Sequence, residues 1–251
     1  MADAAPGLDI RIPRFGYGGP PLFEDFALML EPGQWTCLLG ASGSGKSTLL
    51  RLTAGLLAGA EVTATDGRPV RSRLALMAQQ DGLMPWLSVV DNVTFGFRLR
   101  GGGAGARVML ERGREMLDRV GLADVWQAYP ATLSGGMRQR AALARTLVED
   151  RPVVLMDEPF SALDAITRHR LQEMVATLFA GRTVLLVTHS PLEALRLGHV
   201  VHVLGGLPAG LGAPIVPAGA PPRAAGDPVI LARQGELLDR LSAAAGDGGA
   251  A

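Results

Sequence analysis

Apolar and polar positions alternate along residues 8–12 and 23–30, near the beginning of the chain. A period of two places successive side chains on opposite faces of a strand. The pattern therefore predicts two strands of a half-exposed antiparallel sheet. Two further short strands are predicted at residues 61–65 and 74–77, on either side of an Asp-Gly turn.

Continuous apolar runs occupy residues 35–39, 153–156 and 183–188. A strand of a parallel sheet is buried on both faces, so it needs such a run rather than an alternation. We expect these segments to form the central sheet, with residues 200–204 as its last strand. Between the runs the apolar residues recur at helical spacing. One helix is predicted to start at residues 48–52, and others are predicted at residues 88–99, 107–120, 138–148, 164–180 and 229–241. The fold class is therefore α/β.

Composition narrows the class of protein. The chain has 251 residues, 48% of them hydrophobic, a formal net charge of zero and a pI of about 6.9. A nucleic-acid partner is not expected, because the basic excess that neutralises phosphate backbones is missing. Cys37 is the single cysteine, and no apolar run reaches 18 residues. We expect neither an internal disulfide nor a membrane span, and no export signal.

Residues 40–47, Gly-Ala-Ser-Gly-Ser-Gly-Lys-Ser, match the pattern G-x-x-x-x-G-K-[ST] between a predicted strand and a predicted helix. In such a loop the backbone N–H groups point inward and the helix N-terminus adds positive potential. Lys46 is also the only lysine among 24 basic residues. The motif predicts a phosphate cradle in which Lys46 reaches the β- and γ-phosphates and Ser47 binds Mg²⁺.

Three other positions are candidates for the same site. Asp157 and Glu158 are adjacent carboxylates at the end of a buried strand, and His189 ends another. The carboxyl ends of parallel strands are where open α/β sheets place ligands. One carboxylate is expected to bind the Mg²⁺ shell and the other to face the γ-phosphate. His189 is expected to contact the γ-phosphate.

Two features remain ambiguous from the residues alone. Phe15 and Tyr17 border a Gly-Pro turn, and either ring could stack on a base or cover the core. Residues 133–137, Leu-Ser-Gly-Gly-Met, precede a predicted helix that Ser134 would cap. A structural cap is favoured there over a second anion site. Arg138, Arg140 and Arg145 are interpreted as a solvated helix face.

Taken together, the motifs in residues 8–204 resemble the ATPase subunit of an ABC transporter in order and spacing. Residues 40–47 match Walker A, Gln79 the Q-loop and residues 133–137 the LSGGQ signature. Residues 153–158 match Walker B with its following glutamate, residues 161–164 the D-loop, and His189 the switch histidine. The resemblance departs at Met137, which stands in place of a glutamine, and at Ser190, where aspartate is common.

The resemblance implies a P-loop core with an N-terminal antiparallel β part and a helical insertion. It assigns Glu158 as general base, His189 and Gln79 as γ-phosphate sensors, and Ser47, Gln79 and Asp157 to Mg²⁺. Tyr17 becomes the ring that stacks on adenine, with Phe15 in reserve. The residues assigned to ATP are Tyr17, Gly40, Ala41, Ser42, Gly43, Ser44, Gly45, Lys46, Ser47, Thr48, Ser134, Gly135, Gly136 and Asp164.

The same resemblance implies partners and a location. Two copies would pair head-to-tail, so that each signature covers the ATP of the other. The dimer would sit on the cytoplasmic side of the membrane, bound to separate permease subunits through residues near Met84, Pro85 and Trp86. A solute-binding protein would act indirectly. Residues 83–86 and 133–140 are similar to importers of nitrate, sulfonate, taurine and thiamine-precursor pyrimidines.

We expect an ATPase domain over residues 1–204 with its helical subdomain at 83–148. A linker rich in Gly, Pro and Ala is expected at 205–227, and a short helix and tail at 228–251. Two alternatives stay open at this point. One is a P-loop kinase acting on a small molecule, which leaves residues 133–137 without a role. The other is a soluble ABC-type ATPase that is not part of a transporter.

Overall fold

The structure is a computed structural model, and it describes residues 5–101 and 105–246. The sequence Gly-Gly-Gly-Ala-Gly at 101–105 predicts a flexible break, and this segment lies partly outside the described residues. Two units can be distinguished. The first comprises the described residues up to 74, together with 152–158 and those from 179 onward. The second comprises residues 75–151 and 159–178, and the predicted domain boundaries stay predictions.

Strands and helices alternate only from β6 to β8, and the earlier part of the chain has runs of strands and then of helices. The strands are β1 (Leu8–Phe15), β2 (Phe23–Leu30), β3 (Trp35–Leu39), β4 (Glu61–Ala64), β5 (Leu74–Met77), β6 (Val153–Asp157), β7 (Thr183–Val187), β8 (Val200–Gly205) and β9 (Gly210–Leu211). The helices are α1 (Lys46–Thr53), α2 (Val89–Val93), α3 (Phe95–Leu99), α4 (Ala106–Arg119), α5 (Gly135–Val148), α6 (Ala165–Leu178), α7 (Pro191–Leu197) and α8 (Pro228–Gly246).

The first unit contains the antiparallel sheet that the alternating pattern predicts. Its order is β2-β1-β4, with Leu8 opposite Leu30 and Ile10 opposite Leu28 on the β1–β2 ladder. The side chains of Leu8, Ile10 and Ile12 are fully buried. The intervening residues of β1 are polar, so one face of this sheet forms core while the other meets solvent.

The same unit contains the parallel strands in the order β6-β7-β3-β8, with β9 added antiparallel at the edge. Every residue of β3, β6 and β7 is buried, as the continuous apolar runs require. Asp157 pairs with Val187 at the last position of the β6–β7 ladder. The carboxyl ends of these strands therefore meet at one edge, and the predicted site residues follow there.

The second unit is mainly helical and corrects one prediction. The single helix expected over residues 88–99 is two short helices, because Thr94 leaves the helical conformation with φ −94° and ψ 4°. Its hydroxyl donates to Val90 O at 2.9 Å. Such a bond to the carbonyl four residues earlier often bends a helix.

The segment at 205–227, predicted as an irregular linker, contains structure. It includes β9, which pairs with β8, and Ile215, which forms a bridge with Val201. Arg223 is buried, at 6% exposed. Its guanidinium donates to the carbonyl oxygens of Leu195 and Gly198 at the end of α7. The segment thus packs within the first unit, against β8 and the end of α7.

Across the residues that the structure describes, no helix combines the length and the apolar character needed to cross a membrane.

Candidate functional site

The loop of residues 40–47 connects β3 to α1 in the first unit, and its glycines fit the backbone path. Gly43 and Gly45 have φ of 82° and 98°, a region that side chains with a Cβ rarely adopt. A Cβ at Gly40 would lie 2.6 Å from both Leu204 O and Ser44 Oγ. The chain therefore turns too tightly for larger residues, and Gly45 brings it directly into α1.

Lys46 lies inside this loop. Its Nζ donates to Gly40 O at 2.8 Å and to Ala41 O at 2.7 Å. Burial lowers the pKa of Lys46, and the carboxylates of Glu158 and Asp157 act in the opposite direction. Ser44 Oγ is buried and has no hydrogen-bond partner among residues 5–101 and 105–246. An unsatisfied hydroxyl and an ammonium bonded to two carbonyl oxygens suit a site that takes a phosphate group.

The carboxylates at the end of β6 have different environments. The Ser47 hydroxyl hydrogen-bonds the carboxylate of Asp157, whose pKa is raised, mainly because the group is buried. The Asp157 carboxylate and the Ser47 hydroxyl both supply the hard oxygen atoms that Mg²⁺ prefers. Asp157 and Ser47 thus fit the magnesium role that the sequence predicts for them.

Glu158 lies one residue further, and its backbone N–H donates to Val187 O at 2.9 Å. Its φ is +48°, a conformation that costs a residue with a side chain about 1–3 kcal/mol. The turn directs the carboxylate at His189, and Glu158 Oε2 lies 3.1 Å from His189 Nδ1. The side chain of His189 is exposed and that of Glu158 is largely covered. The two predicted catalytic residues of this edge are therefore in contact.

Tyr17 lies beside the start of α1. Its hydroxyl shares a hydrogen bond with Thr48 Oγ1, with 3.1 Å between the oxygens. Phe15 packs edge-to-face against the Tyr17 ring, with 5.2 Å between centroids. Tyr17 is 67% exposed, so one face of its ring is accessible to a base. The first unit thus brings together Tyr17, the phosphate loop, Asp157, Glu158 and His189.

Ser134 caps α5 in the second unit, as the sequence predicts. Its Oγ accepts a hydrogen bond from Met137 N at 3.2 Å. The helix begins at Gly135, three residues earlier than predicted, so both glycines belong to its first turn. Asp164 caps α6 in the same way, since its Oδ1 accepts from Thr167 N at 2.9 Å. The hydrogen bond from Thr167 N is the main reason that the pKa of Asp164 is lowered.

Gln79 lines a cavity of about 470 Å³ within the second unit, beside Gln80 and Asp81 on one side and Gln139 and Ala162 on another. The arginines of α5, interpreted from the sequence as a solvated face, bind backbone instead. Arg145 donates to the carbonyl oxygens of Asp81 and Gly82, at 2.6 and 2.9 Å. That interpretation is wrong, because helical spacing shows where a side chain points but not which loop covers it.

Three residues of α5 that the sequence does not predict as site residues also make contacts in the second unit. Arg138 Nε pairs with Asp81 Oδ2 at 3.1 Å, and Arg140 Nη1 donates to Val120 O at 2.9 Å. Gln139 accepts from Ala162 N and donates to Ser161. Only the position of these residues next to residues 133–137 could have indicated such contacts from the sequence.

Comparison with known proteins agrees with this geometry. A family described as ABC transporter matches residues 23–161, more than half of the chain. An uncharacterized ABC transporter ATP-binding protein of Haemophilus influenzae is 42% identical over 90% of this chain and 94% of its own length. The aliphatic sulfonates import ATP-binding protein SsuB 2 of Burkholderia cenocepacia is 43% identical over 94% of this chain and 87% of its own.

A further relative and a solved structure extend the comparison. SsuB 1 of Rhodococcus jostii, named an aliphatic sulfonates import ATP-binding protein, is 42% identical over 94% of this chain and 93% of its own. The dimeric, post-hydrolysis ATP-binding cassette MJ0796 bound to ADP and Pi superposes with a TM-score of 0.73 at 26% identity. That comparison covers 85% of this chain and 100% of the other.

The family match includes the phosphate loop, residues 133–137, Asp157 and Glu158. Neither a small-molecule kinase nor an ATPase unrelated to transport is favoured by these relatives. The predicted α/β P-loop fold is confirmed by the solved cassette. The chain belongs to the ABC transporter family and is one of its ATP-binding, ATP-hydrolysing subunits.

Proposed function

We propose that this chain hydrolyses ATP to energise an ABC importer whose membrane permease is a separate protein. The observation that carries the proposal is the juxtaposition in the first unit: the Glu158–His189 contact follows the strand that ends in the Ser47-bonded Asp157. A base, a metal-binding pair and a phosphate loop are the parts that phosphoryl transfer to water needs.

ATP would be held by the residues of the loop and its flanks. The N–H groups of residues 40–47 and the α1 N-terminus attract the phosphates, and Lys46 exchanges its two carbonyl partners for phosphate oxygens. Tyr17 offers its exposed ring to the base. Ser47 and Asp157 would bind Mg²⁺, with Gln79 completing the shell. Bound Mg²⁺ neutralises charge that develops on the phosphate oxygens.

Glu158 would take the proton of the attacking water. The imidazole of His189, whose Nδ1 lies 3.1 Å from that carboxylate, fixes its orientation. As an imidazolium it would have a second N–H, which can donate to the γ-phosphate. Gln79, which lies on the loop after β5, would contact the same γ-phosphate. Removing one such base ordinarily lowers the rate by about 10² to 10⁴.

A second copy of the chain would complete the site. Ser134, Gly135 and Gly136 present the N-terminal N–H groups of α5, which is an anion-binding geometry. Asp164, at the start of α6, would act on the same nucleotide as the α5 N-terminus. The solved cassette MJ0796 is a dimer bound to ADP and Pi, which supports this arrangement.

The importer relatives support a place on the cytoplasmic side of the membrane. Several are named for aliphatic sulfonates, so we propose the sulfonate-type branch, with the solute chosen by the permease and a solute-binding protein. Trp86 is 70% exposed. Asn92 holds its loop through bonds to Met84 and Leu87. Met84, Pro85 and Trp86 are therefore the proposed permease contact.

The test is light scattering on the Glu158→Gln variant with and without Mg·ATP. The amide keeps the shape of the side chain but cannot accept a proton, so ATP stays bound and the closed dimer accumulates. We expect the mass to double with ATP and hydrolysis to fall at least about 10²-fold. Adding Ser134→Arg should abolish the doubling, because it blocks the α5 N-terminus.

Two outcomes would count against the proposal. A Glu158→Gln protein that binds ATP but stays monomeric would remove the shared site. Full hydrolysis by the same variant would remove Glu158 as the base. The Ser134→Ala variant serves as the matched control, because it loses the cap without filling the space.

A further inference from the structure

Gln139 lies on α5, three residues after Gly136, and its side chain is buried at 6% exposed. The amide uses both of its ends on the segment before α6. Gln139 Oε1 accepts from Ala162 N at 2.8 Å, and Nε2 donates to Ser161 Oγ at 3.1 Å. A buried side chain that satisfies a loop N–H in this way fixes the position of that backbone.

The same helix also holds the loop that follows Gln79. Arg138 pairs with the carboxylate of Asp81 and donates to Leu133 O at 2.8 Å. Arg145 donates to the carbonyl oxygens of Asp81 and Gly82. Helix α5 therefore contacts both loops through consecutive residues. Arg138 contacts the loop that follows Gln79, and Gln139 contacts the segment before α6.

We propose that Gln139 is a positioning residue for ATP hydrolysis, which sets the backbone of Ser161 and Ala162 against the N-terminus of α5. The proposal rests on the proposed function and deepens it. Its structural basis is the pair of hydrogen bonds to one dipeptide, which closely precedes the Asp164 cap of α6. Arg138 and Asp81 extend the same connection to the Gln79 loop.

The position of the segment matters because Asp164 and the α5 N-terminus are proposed to act on one nucleotide. Small displacements of such groups lower the rate of ATP hydrolysis, since a misplacement of about 1 Å can lower a catalysed rate about 10²-fold. Gln139 does not itself belong to the phosphate loop that binds ATP in the first unit. Its loss should therefore lower kcat more than it changes the KM for ATP.

Two substitutions separate positioning from packing. Gln139→Leu keeps the volume of the side chain but removes both hydrogen bonds, which leaves Ala162 N–H without its partner. Gln139→Glu keeps an acceptor for Ala162 N, and Ser161 can turn its hydroxyl to donate to the carboxylate. We expect kcat of the full chain with Mg·ATP to fall about tenfold in Gln139→Leu and to recover to within about threefold in Gln139→Glu.

The KM for ATP should change less than about twofold in both variants, and the Ser161→Ala substitution should add nothing to Gln139→Leu. An unchanged kcat in Gln139→Leu would overturn the inference. So would a fall in kcat that tracks the melting temperature and that Gln139→Glu does not reverse. A wild-type chain that fails to hydrolyse ATP would instead overturn the proposed function, and this inference with it.

Discussion

Asp157 is a buried carboxylate whose pKa is raised above its ordinary value of 3.8, chiefly by burial. Between 3.8 and this raised pKa, the folded protein holds a proton that the unfolded chain has released, so stability falls as the pH rises through that range. Bound Mg²⁺ would compensate this cost. The residue is thus expected to be destabilising until its ligand is present.

We predict that Asp157→Asn is more stable than the wild type in the absence of nucleotide and metal. The asparagine has no charge to bury and can still accept from Ser47. The difference in unfolding free energy should be full above the raised pKa and should vanish as the pH falls below 3.8. Denaturant unfolding at a series of pH values measures it.

Mg·ATP supplies the control for this prediction. It should stabilise the wild type by more than it stabilises Asp157→Asn, since ligand binding adds to stability only where the site is intact. A variant that is less stable than the wild type at neutral pH, without ligand, would show that the charge of Asp157 is already compensated.

For single residues, the sequence predicts those of the motifs but not the side chains that hold the motif loops in place. The pattern of residues 40–47 and the end of β6 indicate chemistry because their residue types are specific. Gln139 and Arg145 have no such specificity, and their contacts depend on loops more than 20 residues away in sequence. Periodicity alone therefore cannot find them.

Gly113 illustrates packing between elements. It is buried in the middle of α4, where a Cβ would lie 2.6 Å from Thr94 Cγ2 and 3.4 Å from Val90 Cγ2. Thr94 is held by its bond to Val90 O and is only 4% exposed, so it has little room to move. The absence of a side chain at Gly113 lets α4 approach the end of α2.

Gly113→Ala is therefore predicted to be destabilising, although alanine favours a helix by about 0.5–1 kcal/mol over glycine. The added methyl group forces a shift that costs about 1–3 kcal/mol. The melting temperature should fall by several degrees, at about 2–4 °C per kcal/mol for a chain of this length.

Gly235 provides the matched control, because it lies exposed within α8 and a Cβ there would meet no heavy atom of the described chain within 4 Å. Gly235→Ala should raise stability by about 0.5–1 kcal/mol. If Gly113→Ala stabilises the protein equally, the close approach of α4 to Thr94 is disproved.

The boundaries of strands and helices show how much the pattern of apolar and polar residues can predict. The strands at 23–30, 35–39 and 74–77 are found at their predicted bounds. The first is followed by the turn-forming sequence Glu-Pro-Gly and the second by Gly40. The break at Thr94 is not predicted, since apolar residues continue through it at helical spacing. A side-chain bond to the backbone, which no periodicity records, divides the helix there.

For the whole molecule the main lesson comes from residues 205–227. Their Gly, Pro and Ala content favours a linker, yet Arg223 binds five backbone carbonyls. The acceptors are Leu195, Gly198, Pro217, Ala218 and Gly219. Contacts to carbonyl oxygens need no particular side chain on the partner, so composition does not reveal them. The segment fastens α7 within the first unit.

Arg223→Met should lower the unfolding free energy by about 3 kcal/mol, because several buried carbonyls lose their donors at once. Arg223→Lys should recover only part of it, since an ammonium has three donors and no planar fork. Calorimetry measures the change. The control is Arg233→Met on the exposed face of α8, with an expected change below about 0.5 kcal/mol. Equal effects would refute the fastening role.

Lys46 has a practical consequence outside catalysis. Every other cationic side chain that is not histidine is an arginine, so an amine-selective reagent finds a single side-chain target in the chain, inside the phosphate loop. Lys46 is only 7% exposed in the structure, and a bound phosphate would cover its amine further. The rate of labelling at Lys46 would thus report occupancy of the nucleotide site, and no labelling residue has to be introduced by mutation.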